Sequence, residues 1–200
     1  MHAVDAVILA AGYSSRMGAF KPALDFAGKS LLARCVETFL ALCGSVIVVA
    51  GHEADRTAAL LAAYPTVRVL RNPDYDAGMF TSVRAGVAAV GAARFFLTPG
   101  DHPLISPRTC GRLLQAAGTI VVPSHDGKAG HPVLLDAALI PEILAEPADS
   151  NLRAVLSRHE RTFVTVDDPG ILFDVDTMED YRAAVAAFAA TGVRGLSLDR

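Results

Sequence analysis

The run Ala6-Val7-Ile8-Leu9-Ala10-Ala11 carries no polar side chain and stops at Gly12. A strand that is apolar on both sides of its pleat must be covered on both faces, which is the situation of a central strand in a parallel sheet. The downstream segments keep to that plan. From Ser30, the residues Leu31, Cys35, Phe39 and Leu42 recur at helical spacing and predict a helix ended by Gly44, and Ser45 to Ala50 reads as the next strand. A helix over Ala54 to Ala63, a strand over Val67 to Leu70, a helix over Ser82 to Ala89 and a strand over Arg94 to Thr98 continue the alternation. Four βα units in succession predict an α/β fold with a mostly parallel sheet, right-handed crossovers and helices on both faces.

The rhythm changes in the second half. Ile120 to Val122 and Pro132 to Leu135 are short apolar runs joined by the turn-rich segment Ser124 to Gly130, which predicts a local antiparallel portion. A helix over Asn151 to Arg158, strands over Phe163 to Val166 and Ile171 to Asp174, and a last helix carrying Tyr181, Val185 and Phe188 on one face complete the chain. With 200 residues, 52% of them hydrophobic, there is enough chain for one compact core. One domain is expected over residues 1–191, with 192–200 as a tail.

Several classes of function are disfavoured. The net charge of −3 is mild and the basic residues are dispersed, so nucleic acid is not an expected partner. The first apolar run is too short for a membrane span or a secretory signal, and no membrane association is expected. Cys35, Cys43 and Cys110 form neither a CxxC pair nor an even disulfide framework, which suits a reducing cytoplasm. The six histidines lack zinc-ligand spacing; His52, His125 and His159 read as surface residues.

In an open parallel sheet, ligands collect where the strands end and the βα loops converge. Three segments fall there. The loop Gly12-Tyr13-Ser14-Ser15-Arg16-Met17-Gly18-Ala19-Phe20-Lys21 combines glycines and serines, which let backbone N–H groups turn toward an anion, with two cations that can neutralise one. It is compatible with a phosphate cradle and equally with a surface loop. Its spacing is not that of a Walker A loop, since Lys21 does not follow Gly18 and Pro22 stands where a magnesium-binding hydroxyl would be; nor is it a GxGxxG dinucleotide fingerprint. Second, Gly100-Asp101-His102-Pro103 follows a strand and leads toward a helix starting at Ser106-Pro107, so Asp101 reads either as a cation ligand or as the capping residue of a turn. Third, in Phe173-Asp174-Val175-Asp176-Thr177, strand alternation would put both aspartates on one side, where either could join a metal site, although Asp176 or Thr177 could instead cap the final helix.

Taken together, Leu9-Ala10-Ala11-Gly12-Tyr13-Ser14-Ser15-Arg16-Met17-Gly18 with Lys21 resembles the signature loop of the MobA-like nucleotidyltransferase superfamily. Asn72-Pro73-Asp74-Tyr75, Gly78, Thr81-Ser82-Val83, Gly100-Asp101, Gly130-His131-Pro132, Asn151-Leu152-Arg153 and Asp174-Val175-Asp176-Thr177 come in the order found in the molybdenum cofactor cytidylyltransferases of that superfamily, over residues 5 to about 182. The resemblance implies a Rossmann-like three-layer sandwich of the nucleotide-diphospho-sugar transferase type and a Mg²⁺-dependent transfer of CMP from CTP to a molybdopterin-type cofactor. It assigns the nucleotide to Leu9, Ala10, Ala11, Gly12, Ser14, Ser15, Gly18, Ser82 and Gly100, with Arg16 and Lys21 holding its phosphates, and catalysis to Arg16, Lys21 and Asp101. Mg²⁺ would lie on Asp101 with Asp174 or Asp176. His102, Gly130, His131 and Pro132 would face the acceptor, and a molybdenum hydroxylase would receive the product. Relatives that use GTP usually carry Gly-Gly where this chain has Ala11-Gly12, so the methyl of Ala11 favours CTP over GTP. Met178 stands where a proline often follows the Asp-x-Asp-Thr segment, and His102 occupies a variable position.

A phosphate monoester is already a nucleophile near neutral pH, its second pKa being about 6, so the lack of a Ser-His-Asp or Cys-His set is no obstacle to that chemistry. Two other readings stay open on the sequence: nucleotidyl transfer to a different phosphorylated acceptor such as a sugar phosphate, and a non-catalytic protein that binds the finished cofactor and hands it on. The second has little use for the Arg16, Lys21 and Asp101 set.

Overall fold

A computed structural model describes residues 4–147 and 149–190; the expected tail, 192–200, lies outside the described residues. Strands β1 (Val4–Ala10), β2 (Ser45–Ala50), β3 (Val67–Arg71) and β4 (Arg94–Pro99) alternate with helices α1 (Leu31–Leu40), α2 (Ala54–Leu60), α3 (Met79–Val87) and α4 (Pro107–Gln115). β1 pairs in parallel with β2 and β4, and β2 with β3, so the first half runs in the order β3-β2-β1-β4. The order changes direction between β1 and β4, the switch point beside which an open α/β sheet binds its ligands.

The second half contributes β5 (Ile120–His125), β6 (Lys128–Ala129), β7 (Val133–Asp136), α5 (Ile140–Ala145), α6 (Leu152–Leu156), β8 (Thr162–Thr165) and α7 (Met178–Ala190). β7 runs antiparallel to β4 and β5 antiparallel to β7, so the antiparallel portion lies where the turn-rich sequence predicts it. β5 and β6 form a hairpin whose central residues, Asp126 and Gly127, both have positive φ (49° and 75°), as a tight two-residue connection requires. The parallel pairing of β8 with β5 makes the sheet mixed.

The two-residue period of β1 divides the core. Ala6, Ile8 and Ala10 pack with Leu32, Val36 and Phe39 of α1 and Cys110 and Leu113 of α4, whereas Val7 packs with Phe80, Val83 and Val87 of α3 and with Ile143 and Val155 of α5 and α6. A third cluster joins Phe26, Leu31 and Cys35 to Val175 and the Ala184 side of α7, fixing the C-terminal helix beside α1. Among the described residues no helix is long and apolar enough to cross a membrane.

Helix α3 lies unusually close to the sheet. A Cβ on Gly86 would collide with Val7 Cγ1 and approach Val49 Cγ2 to 2.9 Å. Alanine in a helix interior gains up to about 1 kcal/mol over glycine, but overpacking a close contact costs about 1–3 kcal/mol. Gly86→Ala is therefore expected to lower the urea midpoint, and a raised midpoint would show that the helix can back away freely.

Two expectations need correction. Ile171 to Asp174 is not a strand: Pro169–Leu172 is a 3₁₀ helix. The cause is the turn chemistry of Asp168, which accepts from Gly170 N (3.0 Å), Ser106 N (3.0 Å) and Thr109 Oγ1 (2.6 Å), so the side chain and Pro169 together set a turn that apolar content cannot override. Helix α3 starts at Met79 rather than Ser82, directly after Gly78 at φ 110°.

Candidate active site

The first loop, the Asp101 turn and the stretch before α7 converge because their backbones are tied at the reversal point. Gly100 N donates to Leu9 O (2.8 Å), and a Cβ at Gly100 would sit 3.1 Å from both Leu9 O and Leu32 Cδ1, so a side chain here would press the end of β4 away from β1 by a few tenths of an ångström. Val175 N donates to Asp101 O (3.0 Å), which holds the stretch before α7 alongside. In the first loop, Ser14 and Gly18 take positive φ (56° and 62°) on either side of the 3₁₀ turn Ser15–Met17, and Ser14 Oγ accepts from Lys21 N (3.3 Å). The loop thus doubles back and sends Lys21 under it. The side chain of Ser15 lies outside the described residues.

Lys21 Nζ sits 2.9 Å from Asp101 Oδ2 and 3.1 Å from Asp176 Oδ1, while Arg16 Nη1 lies 2.9 Å from Asp176 Oδ2. The two cations differ in setting: the Arg16 side chain is 71% exposed at the rim and that of Lys21 only 15%. Burial pushes the Asp101 carboxyl up, but its hydrogen bond from His102 and the charge of Lys21 outweigh burial and hold it down at about 2. Asp176 is free to face this site because the cap of α7 is made by others: Asp180 N donates to Thr177 Oγ1 (3.2 Å) and Asp180 Oδ2 accepts from Thr177 N (2.7 Å). Asp174 is exposed and lies outside the cleft walls. With no strand there, alternation does not put the two aspartates together, and of the pair it is Asp176 that reaches Lys21.

The cleft has a volume of about 330 Å³. Arg16, Lys21, Asp101 and Asp176 line its polar part, and Leu9, Ala10, Ala11, Gly12, Ser14, Ser82 and Gly100 also contribute to its walls. Ser82 is held by buried Asn72, whose Nδ2 donates to Ser82 Oγ (2.9 Å) and to Thr81 Oγ1 (2.8 Å). Gly18, His102, Gly130, His131 and Pro132 are not part of the walls.

Sequence reasoning missed Tyr75 and Met79, which wall the same cleft, and Gly51, which makes that wall possible. A Cβ on Gly51 would lie 2.5 Å from Tyr75 Cβ and 2.8 Å from Ala11 O. Tyr75 could have been found through the Asn72-Pro73-Asp74-Tyr75 motif, but no sequence pattern singles out Gly51. Tyr13 also lines the cleft; its ring lies 4.9 Å from that of His52 and 5.5 Å from that of Tyr75, and its hydroxyl donates to Asp76.

Among the described residues no group of three or more His, Cys, Asp or Glu side chains gathers to form a complete metal cage. Two hard carboxylates beside a polar cleft instead match a cation that takes its remaining ligands from phosphate oxygens, the usual habit of Mg²⁺. The thiols offer no alternative chemistry: all three are free, burial pushes Cys35 and Cys110 upward, and Cys43 is pushed up to about 12.

Burial pushes the His131 imidazole down to about 4 from 6.5, helped by His102 and opposed by Asp101 and the Leu97 backbone. A histidine with a depressed folded pKa favours the fold fully above its unfolded pKa and loses that contribution as pH falls below it. The urea midpoint is accordingly expected to fall from pH 7.5 to pH 5, and less so in His131→Gln. Equal slopes in the two proteins would show that His131 is not the group responsible.

Residues 6–162 match the family model described as the MobA-like NTP transferase domain. The chain is 32% identical to the molybdenum cofactor cytidylyltransferase of Escherichia coli K12 over 92% of this chain and 96% of that protein. It is 31% identical to the nicotine blue oxidoreductase of Paenarthrobacter nicotinovorans over 88% and 93%. A nucleotidyl transferase from Methanothermobacter superposes with a TM-score of 0.83 at 27% identity, over 94% of this chain and 98% of that one. The strand order, the loop after β1 and the full-length similarity agree, and the chain belongs to the MobA-like NTP transferase family as a nucleotidyltransferase.

Proposed function

We propose that this enzyme transfers CMP from CTP to the terminal phosphate of a molybdopterin-type molybdenum cofactor and releases pyrophosphate. Because one relative bears an oxidoreductase's name, the reading rests on residues rather than on family membership alone. The observation that carries it is the placement of Lys21 Nζ between Asp101 and Asp176, with Arg16 at the rim of the same cleft.

An acceptor phosphate oxygen attacks the α-phosphorus in line, the new P–O bond forms, and the bond to the β-phosphate oxygen breaks so that its electrons leave with pyrophosphate. The acceptor needs no general base, because its second ionisation, near pH 6, is largely complete at neutrality. Lys21 and Arg16 neutralise the departing phosphates, and the buried setting of Lys21 makes its charge the more effective of the two. Asp101 and Asp176 would hold Mg²⁺, which supplies charge neutralisation at the phosphate oxygens when bound. Asn72 keeps Ser82 turned toward the nucleoside end of the cleft.

Ala11, at the cleft wall, sets the choice of base by its methyl group. One methyl in a pocket changes relative specificity by about 10-fold to 200-fold. Ala11→Gly is expected to shift the ratio of kcat/KM for CTP to that for GTP by about tenfold toward GTP; an unchanged ratio would remove Ala11 from base selection.

The decisive experiment incubates the protein with CTP or GTP, Mg²⁺ and molybdopterin-type cofactor, with sugar phosphates as competing acceptors, and identifies the product by mass. A cytidylylated pterin cofactor is the expected product. Transfer to a sugar phosphate instead would move the acceptor class, and tight cofactor binding without any nucleotidyl transfer would make the protein a carrier.

A further inference from the structure

His102 Nδ1 lies 2.9 Å from Asp101 Oδ1, on the side of the carboxylate away from Lys21, which contacts Oδ2. An ionised carboxylate can only accept, so Nδ1 is the ring nitrogen that carries the proton in this pair. The His102 side chain is 9% exposed and is not part of the cleft walls. Behind it stands His131, with ring centroids 4.9 Å apart at 74°. His131 is itself pinned by its backbone N–H to Ile171 O (2.9 Å), and the preceding Gly130 lies so close to that carbonyl that a Cβ would collide with it. Lys21, Asp101, His102 and His131 thus form one row leading inward from the cleft.

We propose that His102 is a positioning residue that ties one oxygen of Asp101 so that only the other faces the cleft, with His131 bracing its ring from the sheet side. A carboxylate with both oxygens free rotates about its last torsion and presents either oxygen; one tied by a buried donor presents a single fixed one. Removing outer partners that orient a metal-binding group typically costs 10-fold to 100-fold in metal affinity, so the device matters to the site even though it touches no substrate. For His102 it is an alternative to the acceptor role, and it rests on the reading of Asp101 as the cation-binding carboxylate.

The test is Mn²⁺ binding in the presence of CTP, without acceptor, measured by electron paramagnetic resonance of free Mn²⁺ for the full chain and its variants. His102→Leu removes the donor and is expected to weaken Mn²⁺ binding about 10-fold to 100-fold. His102→Asn places an amide N–H near the position of Nδ1 and is expected to recover most of the affinity, whereas His102→Gln carries its amide one bond further out and is not. The contrast between Asn and Gln decides the matter even if the Leu variant fails to fold. Equal Mn²⁺ affinity in wild type, Asn and Gln variants, or equal loss in Asn and Gln, overturns the proposal; a raised KM for the acceptor with unchanged Mn²⁺ binding returns His102 to the acceptor site. Asp101→Asn is the separate control. If it binds Mn²⁺ and CTP as wild type does, the assignment of the cation to Asp101 fails, while failure of the molybdopterin acceptor alone leaves the Mn²⁺ comparison intact.

Discussion

Asp101→Asn is expected to lower kcat by about 10²-fold to 10³-fold with little change in fold stability, the range seen when one preorganised electrostatic group is removed from a reacting centre. The substitution keeps the size of the side chain, but its single amide oxygen can accept from His102 only with the amide N–H₂ turned toward Lys21, so both the charge and the acceptor opposite Lys21 are lost. Because His102 and Lys21 hold the carboxyl down at about 2, it is ionised at neutral pH and the charge is there for the substitution to remove. Steady-state rates at saturating CTP and acceptor, with Mg²⁺ varied, check the prediction. A kcat within a few-fold of wild type at every Mg²⁺ concentration would remove Asp101 from the machinery.

Lys21→Ala is expected to lower kcat by about 10²-fold or more, with a smaller change in KM for CTP. The split comes from where the ammonium group sits. Buried between two carboxylates, Lys21 is fixed before substrate arrives, and its charge is best used when negative charge builds up on the departing pyrophosphate. Arg16, largely exposed, pairs with Asp176 at the rim and works in high dielectric, so Arg16→Ala should cost less than Lys21→Ala. Loss of Lys21 also removes the cation shared by Asp101 and Asp176, leaving Asp176 to Arg16 and Asp101 to His102, which makes the doubly ionised pair less favourable. Turnover near wild type in Lys21→Ala would refute its role, and a loss confined to KM would make it a ground-state binding group.

The framework of this chain is legible in its residues because hydrophobic period depends on local chemistry alone. The apolar run at Ala6 to Ala11, the helical stripe Leu31, Cys35, Phe39 and the turn-rich Ser124 to Gly130 each report how many of their faces must be buried, and β1, α1 and the hairpin around Asp126-Gly127 appear where those patterns lie. Ile171 to Asp174 misled because apolar content resembled a strand, while the competing signal, a buried aspartate before Pro169-Gly170 serving three donors, depends on partners at Ser106 and Thr109 some sixty residues away. The same distinction governs the site. Arg16, Lys21 and Asp101 stand out by residue type at strand ends, but nothing local distinguishes Asp176 from Asp174; that choice is made by the Val175 N–H to the Asp101 carbonyl and by the Thr177–Asp180 cap.

The sequence by itself determined the succession of elements, the chemistry of the first loop and the family, since each is written in spacing between near neighbours. Tertiary structure alone decided which carboxylate meets Lys21, why Gly51 has no side chain, and that the His102 ring packs against that of His131. Those are contacts between residues far apart in the chain, and they exist only after backbone hydrogen bonds at the ends of β1 and β4 have brought the segments together.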